Sequence, residues 1–329
     1  MRSGMAHFAE FVMNICLVGY GAIAEKHMEA FSAIDGVVPR VLVGRRMEPA
    51  TEFAARWGFR TVTMQLDEAL ADDAIDAVVI ASPNALHAEQ AVASLQAHKH
   101  VLLEIPMALN LADAKQVVEL AAKSDRQVMV AHTMRYFPAL REIRRRVVEE
   151  DFTIQHIVGF FGLPRRENVT SAGKARSWTD DILWHFGAHM VDVVLWLTGN
   201  RNATAFSCQF GPKHPTQGVM DMSLSMTLPG GALFTLAQSF NLELLRWTLT
   251  VVGDQGTLEF DNGTLYDLKR KELVAYQSIV DLHEQNREFV DAVRNDRPPA
   301  ITPADVLPAM GILDKAERIS NFEFPISNL

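Results

Sequence analysis

Two rhythms of apolar and polar residues divide the chain. Asn14-Ile15-Cys16-Leu17-Val18 is a short, almost wholly apolar run that stops at Gly19-Tyr20-Gly21 and gives way to a helical pattern from Ala22. A run this short, apolar on both faces, predicts a strand buried inside a parallel sheet. The same grammar recurs, with strands expected at 37–43, 61–63, 74–81, 100–104 and 127–131 and helices at 48–57, 85–97 and 111–124. Strands and helices alternating at this length predict an α/β domain, a parallel sheet covered by helices on both faces.

Beyond residue 136 the alternation ends. After a charge-rich helix at 139–150, the segments 153–161, 203–210, 221–228, 232–239, 246–252 and 256–260 read as strands. Gly253-Asp254-Gln255-Gly256 and Asp261-Asn262-Gly263 are turn sequences between them. The expectation is a parallel-sheet domain over 1–135 followed by an α+β domain over 136–329 with a large, open, mostly antiparallel sheet. Thr302-Pro303 supplies an N-cap and a first-turn proline for a final amphipathic helix at 303–319.

Composition narrows the partners. A chain of 329 residues, 48% hydrophobic, can fill two cores. Its formal net charge of -9 sets it against phosphate backbones and anionic lipid, so neither nucleic acid nor membrane is an expected partner. No apolar run reaches the roughly 18 residues that span a bilayer. Residues 1–13 lack the apolar core of a signal peptide. Cys16 and Cys208 stand in apolar contexts without a CxxC pattern, which predicts no disulfide framework, no metal site and a reducing, cytoplasmic setting.

The chemistry begins at Gly19-x-Gly21-x-x-Ala24, between a predicted strand and a predicted helix. Glycines there let backbone approach a pyrophosphate, whose charge the helix N-terminus stabilises, so a Rossmann dinucleotide site is expected at Gly19, Gly21, Ala22 and Ile23. The bland alternative is a plain glycine turn. After the second strand comes Gly44-Arg45-Arg46, two guanidinium groups where an NAD site carries a carboxylate. Arginine there favours a 2′-phosphate, hence NADP over NAD, the competing reading being a solvated basic loop.

Together with Ala81-Ser82-Pro83-Asn84-x-x-His87 and Glu104-x-Pro106, the glycine motif and the β-rich second half resemble the glucose-fructose oxidoreductase/inositol dehydrogenase (Gfo/Idh/MocA) family over nearly the whole chain. The resemblance implies an NAD(P)-dependent dehydrogenase of CH–OH or hemiacetal groups. It implies that Ala81, Ser82, Pro83, Asn84, His87, Glu104, Ile105 and Pro106 border the cofactor, that the helix 303–319 returns to pack near the first domain, and that the chain forms a homodimer or homotetramer. Ile105 stands where many members place a lysine that deprotonates a sugar hydroxyl, and His185 replaces the first acid of an Asp-x-Gly-x-His-x-x-Asp element.

Further stretches resemble a branch of the family that uses NADP to oxidise the carboxylated cyclic hemiacetal of an aromatic ring-cleavage product to a pyrone. They are His132-Thr133-x-Arg135, Arg165-Arg166-x-Asn168, Arg176-Ser177-Trp178-Thr179-Asp180, Gly211-Pro212-x-His214-Pro215, Met220-Asp221-Met222 and Ser239-Phe240-Asn241. A sugar or polyol dehydrogenase and a non-catalytic NADP-binding regulator are the alternatives.

Helical spacing places His185, His189 and Asp192 on one face. Neutral imidazole suits acceptance of a hemiacetal proton, so His185 is read as the base and His189 as its positioning or relay partner, the reverse assignment standing as the alternative, and Asp192 as a group that orients an imidazole. Zinc binding and a purely structural role are the rival readings of these histidines. A carboxylated substrate needs bidentate donors, for which Arg135, Arg165, Arg166 and above all Arg176 are candidates. Ser177, Trp178, Thr179 and His214 complete the expected substrate site, and Arg141, Arg144, Arg145 and Arg146 read as a solvent face.

Overall fold

The computed structural model describes residues 11–167, 181–215, 218–277 and 280–321. Contacts divide the chain into two compact units. The first comprises Met1–Glu104, Glu119–Ala131 and Leu282–Thr302, the second Ile105–Val118, His132–Asp281 and Pro303–Leu329.

The first unit holds the alternating part of the chain: β1 (Met13–Val18), α1 (Ala22–Phe31), β2 (Val37–Val43), α2 (Met47–Trp57), β3 (Thr61–Thr63), α3 (Leu66–Leu70), β4 (Ala77–Ile80), α4 (His87–Gln96), β5 (His100–Leu103) and β6 (Val128–Val130). The helix α5 (Leu111–Lys123) straddles the division. The six strands are all parallel in the order β3-β2-β1-β4-β5-β6, so the chain reverses its winding between β1 and β4, where ligands bind in doubly wound sheets. Every residue of β4 and β5 is buried, as strands covered on both faces require. Helix α1 buries Ala24, His27, Met28 and Phe31, an i, i+3, i+4, i+7 stripe that presses it onto the sheet.

The second unit contains α6 (Pro138–Glu149), β7 (Ile154–Pro164), a π-helical turn at Ile182–Gly187 and α7 (Ala188–Thr198). It continues through β8 (Ala205–Phe210), the small pair β9 (Lys213–His214) and β10 (Gly218–Val219), β11 (Asp221–Thr227), β12 (Leu233–Ser239), β13 (Asn241–Gly253), β14 (Gly256–Asp261), β15 (Thr264–Asp267) and β16 (Glu272–Val274). Eight of these strands form one sheet in the order β16-β15-β14-β13-β7-β12-β11-β8, antiparallel except where β7 meets β12. Along β12 exposed and buried residues alternate, which leaves one face of the sheet for a helical layer. Helix α7 is apolar nearly all round, burying Met190, Val191, Val193 and Val194, because it lies between that sheet and other helices.

The final helix, α9 (Pro303–Asn321), packs on α7 and β8 and counts with the second unit. The late segment Leu282–Thr302, with most of α8 (Val280–Arg294), counts with the first unit; its amphipathic pattern was passed over by the strand-rich reading of this half. The α9 register also accommodates an internal proline, Pro308. No helix among the described residues is long and apolar enough to cross a membrane.

Candidate active site

In the first unit the glycine motif closes the β1–α1 turn. Gly19 has φ +107°, and a Cβ on it would collide with the Ala81 carbonyl at the end of β4, so both conformation and space demand glycine. Gly21 is the N-cap of α1 and makes no side-chain cap, while the space where its Cβ would stand is open. The first amides of α1 are therefore uncapped behind a cradle without a side chain, which fits a pyrophosphate. Ala24 is fully buried, where a larger side chain would push α1 off the strands. Ala22 and Ile23 form the first turn of that helix.

At the end of β2, Gly44 packs so tightly that a Cβ would lie 2.6 Å from Ala50 Cβ and 3.1 Å from Tyr20. Arg45 and Arg46 follow it, both exposed, before α2 begins. Four residues from Gly44 to Met47 carry no carboxylate.

The 82–87 segment is held by its own side chains. His87, buried, donates from Nε2 to the Ser82 carbonyl (2.9 Å), and the Ser82 hydroxyl donates to Gln90 Oε1 (2.6 Å). Pro83 and Asn84 enter a single 3-10 turn between them. Glu104, at the end of β5, lies against a residue that sequence reasoning missed: His27 of α1, which is 0% exposed, with Nε2 2.8 Å from Glu104 Oε1 and Nδ1 3.1 Å from Asn286 Oδ1. The signal was available, since His27 occupies an apolar position of the buried stripe and a buried imidazole needs polar partners. Ile105 and Pro106 follow through a cis peptide bond.

In the second unit three imidazoles cluster. His189 of α7 stands edge-on to His132 at 6.0 Å between ring centroids and edge-on to His185 of the π turn at 6.2 Å. Its Nδ1 is buried and has no hydrogen-bond partner among the described residues. Burial, reinforced by His132 and His185, holds His189 well below the ordinary histidine pKa, so it stays neutral. Asp181 caps the π turn, accepting from the Leu183 and Trp184 amides at 2.8 Å each.

Asp192, 1% exposed, does not orient His185 or His189. It accepts two bonds from Arg135, Nε at 2.8 Å and Nη2 at 2.6 Å, and lies 3.2 Å from His132 Nδ1. Asp192 thus stands beside an imidazole, that of His132. The carboxylate that Arg135 grips through Nε and Nη2 is an internal one. His185 and His189 lie together as helical spacing predicts, with ring centroids 6.2 Å apart, while Asp192, three residues further along α7, meets Arg135 and His132. Among the described residues no group of three or more His, Cys, Asp or Glu side chains is placed to hold a metal ion.

Arg166 donates to Asn241 Oδ1 (3.2 Å), and Asn241 and Ser239 both donate to Asp221, at 2.6 Å each. Two distant sequence stretches are thus brought together. Arg165 bonds the Pro164 carbonyl (3.1 Å) and pairs its amide with Phe240. His214 is exposed on β9. Arg176, Ser177, Trp178 and Thr179, with Asn168, lie outside the described residues. Of the basic helix α6, Arg145 and Arg146 pair with Glu142, as a solvent face would, but Arg144 donates to the Leu197 carbonyl (3.2 Å) and Arg141 stacks on Tyr136 at 4.7 Å.

Comparison with known proteins places these features. Residues 13–132 match the oxidoreductase family with an NAD-binding Rossmann fold (GFO_IDH_MocA), and 138–275 match the C-terminal domain of bacterial oxidoreductases. Over 93% of its length the chain is 38% identical to 4-carboxy-2-hydroxymuconate-6-semialdehyde dehydrogenase of Sphingobium sp., covering 98% of that protein. The chain belongs to the Gfo/Idh/MocA oxidoreductase family.

As a member of that family it is an NAD(P)-dependent dehydrogenase. It is 28% identical to levoglucosan dehydrogenase of Pseudarthrobacter phenanthrenivorans over 62% of this chain and 56% of that one. The levoglucosan dehydrogenase structure in complex with NADH and L-sorbose shares the fold, with TM-score 0.82 and 20% identity over 94% of this chain and 96% of that one. Within a Gfo/Idh/MocA frame, Ile105 is notable because a butyl side chain can neither take nor give the proton that alcohol oxidation releases.

Proposed function

We propose that the enzyme oxidises a carboxylated cyclic hemiacetal of the 4-carboxy-2-hydroxymuconate-6-semialdehyde type to the corresponding pyrone, with NADP as acceptor. The observation that carries this reading is the full-length kinship to a dehydrogenase of that name, at 38% identity over 98% of its chain. The site chemistry supports it. A hemiacetal hydroxyl is more acidic than a sugar hydroxyl, so a histidine suffices where sugar oxidation calls on lysine.

The uncapped N-terminus of α1, with Gly19 and Gly21, would hold the pyrophosphate, and Arg45 and Arg46 the 2′-phosphate. When bound, the nicotinamide supplies the acceptor for the hydride that leaves the ring carbon. His185 accepts the hydroxyl proton at its imidazole. His189, kept neutral by burial, neither competes for that proton nor repels the charge that His185 acquires. The buried Arg135–Asp192 pair with His132 forms a fixed, charge-balanced group beside it. Arg176, with Arg165 and Arg166, takes the substrate carboxylates.

The test follows the nicotinamide absorbance band with NADP and with NAD against the semialdehyde and a panel of sugars. Turnover of the semialdehyde with NADP, lost on Arg176→Ala while any sugar turnover persists, is the expected result. Oxidation of sugars alone, or indifference to Arg176→Ala, sinks it.

A further inference from the structure

The inward row of β12 runs Phe234, Leu236, Gln238 and continues beyond the strand to Phe240. Three of the four are large and apolar. Gln238 is a carboxamide at a core position, 2% exposed, and its cross-strand neighbours are Phe161 on β7 and Met222 on β11. Among the described residues neither its Nε2 nor its Oε1 has a hydrogen-bond partner. A donor and an acceptor both removed from water and both unpaired destabilise the fold that contains them. Methionine would fill nearly the same volume without that penalty. Residues that weaken a fold in this way are the ones expected where a chain binds something.

Its position narrows what is bound. A Cβ placed on Gly187, the last residue of the π turn, would stand 3.6 Å from Gln238 Oε1. That turn carries His185, and π turns inside helices concentrate at functional sites because they re-aim side chains. Phe186 of the same turn stacks on Phe161 at 4.7 Å between centroids and stands edge-on to Phe240 at 5.6 Å. The carboxamide and its aromatic neighbours therefore meet the segment that bears the proton acceptor.

We propose that Gln238 is a substrate-recognition residue, its uncharged carboxamide hydrogen-bonding the neutral oxygens of the substrate ring beside the π turn. Nε2 donates to a ring or carbonyl oxygen and Oε1 accepts from a hydroxyl. This deepens the hemiacetal-oxidation reading and rests on it for the substrate class. An uncharged amide reads ring oxygens and leaves the carboxylates to arginine, so a neutral cyclic sugar turned over by the enzyme should depend on Gln238 as well.

The experiment compares the full-length enzyme with Gln238→Met. Melting temperature is measured without ligand, the NADP dissociation constant by fluorescence, and kcat and KM with 4-carboxy-2-hydroxymuconate-6-semialdehyde and with levoglucosan. The expected result is a melting temperature raised by about 2–4 °C, NADP affinity within about twofold, and KM raised about tenfold or more. A merely structural glutamine gives the opposite sign, a lowered melting temperature, and overturns the proposal. So does an unchanged KM for a substrate that the enzyme turns over, a result that leaves hemiacetal oxidation standing. Turnover of levoglucosan alone removes the hemiacetal reading, and Gln238 is then judged on the levoglucosan KM by the same criterion. If neither compound is oxidised, both fall.

Discussion

The two candidate sites, one in each unit, are built on opposite plans. In the first unit the cofactor cradle is backbone, glycine and an uncapped helix end, and the side chains around it, such as His27, Ser82 and His87, are tied to neighbours by hydrogen bonds. In the second unit, among the described residues, the side chains of Gln238, Trp184 and Trp247 and the Nδ1 of His189 keep buried polar atoms without a hydrogen bond. A pyrophosphate is common to all dinucleotides and can be met by main chain. A particular substrate must be told from its analogues, and unpaired polar groups do this because they penalise any ligand that fails to satisfy them.

Perturbing each half separately tests that contrast. The largest effect is expected for His185→Ala, which should lower kcat by about 10²–10⁴-fold through loss of proton transfer. NADP affinity measured by fluorescence should stay put, and a kcat within a few-fold of the parent would remove His185 from the chemistry. Asp192→Ala comes next. It strands the buried Arg135 guanidinium, so unfolding in urea should show a loss of about 3–5 kcal/mol. A change below 1 kcal/mol would mean that water already reaches the pair. Replacing Arg45 and Arg46 together with alanine should weaken NADP about tenfold or more and leave NAD nearly unaffected, as charge-assisted bonds to a 2′-phosphate require. Equal losses for the two cofactors, by calorimetry, would return these arginines to solvent.

The smallest effect is a pH slope. His189 has its pKa depressed by burial below the ordinary 6.5, so only the unfolded chain takes up a proton as pH falls past that value. Its contribution to stability is therefore constant above pH 6.5 and declines below it, by up to about 1.4 kcal/mol per pH unit. His100 in the first unit, likewise lowered by burial, adds to the same slope. His189→Gln should flatten melting temperature against pH below 6.5 without abolishing the dependence, and an unaltered slope would show that His189 is protonated in the fold.

The cofactor half was readable because its signals are local. A strand, Gly19-x-Gly21 and a helix are adjacent in sequence, and Gly44-Arg45-Arg46 follows the second strand directly. His27 was passed over although its place in the buried stripe of α1 gave it away, and its partner Asn286 lies 259 residues distant. In the second unit spacing grouped His185 with His189, whose rings do lie 6.2 Å apart, but not the third imidazole, His132, which is distant in sequence. Spacing along one helix carries no record that Asp192 meets Arg135 and His132, which come from an earlier part of the chain.

What the sequence determined by itself was whatever depends on periodicity and backbone freedom: the parallel alternation, the switch to an open sheet, and Gly19, which no other residue could replace at φ +107°. Tertiary structure alone decided partnership. Whether an arginine is free for a substrate, whether a glutamine in a strand is satisfied, and which helix returns to the first unit depend on groups far apart along the chain. A charge or a lone pair is defined by what it meets in space, and a one-dimensional pattern carries no record of that.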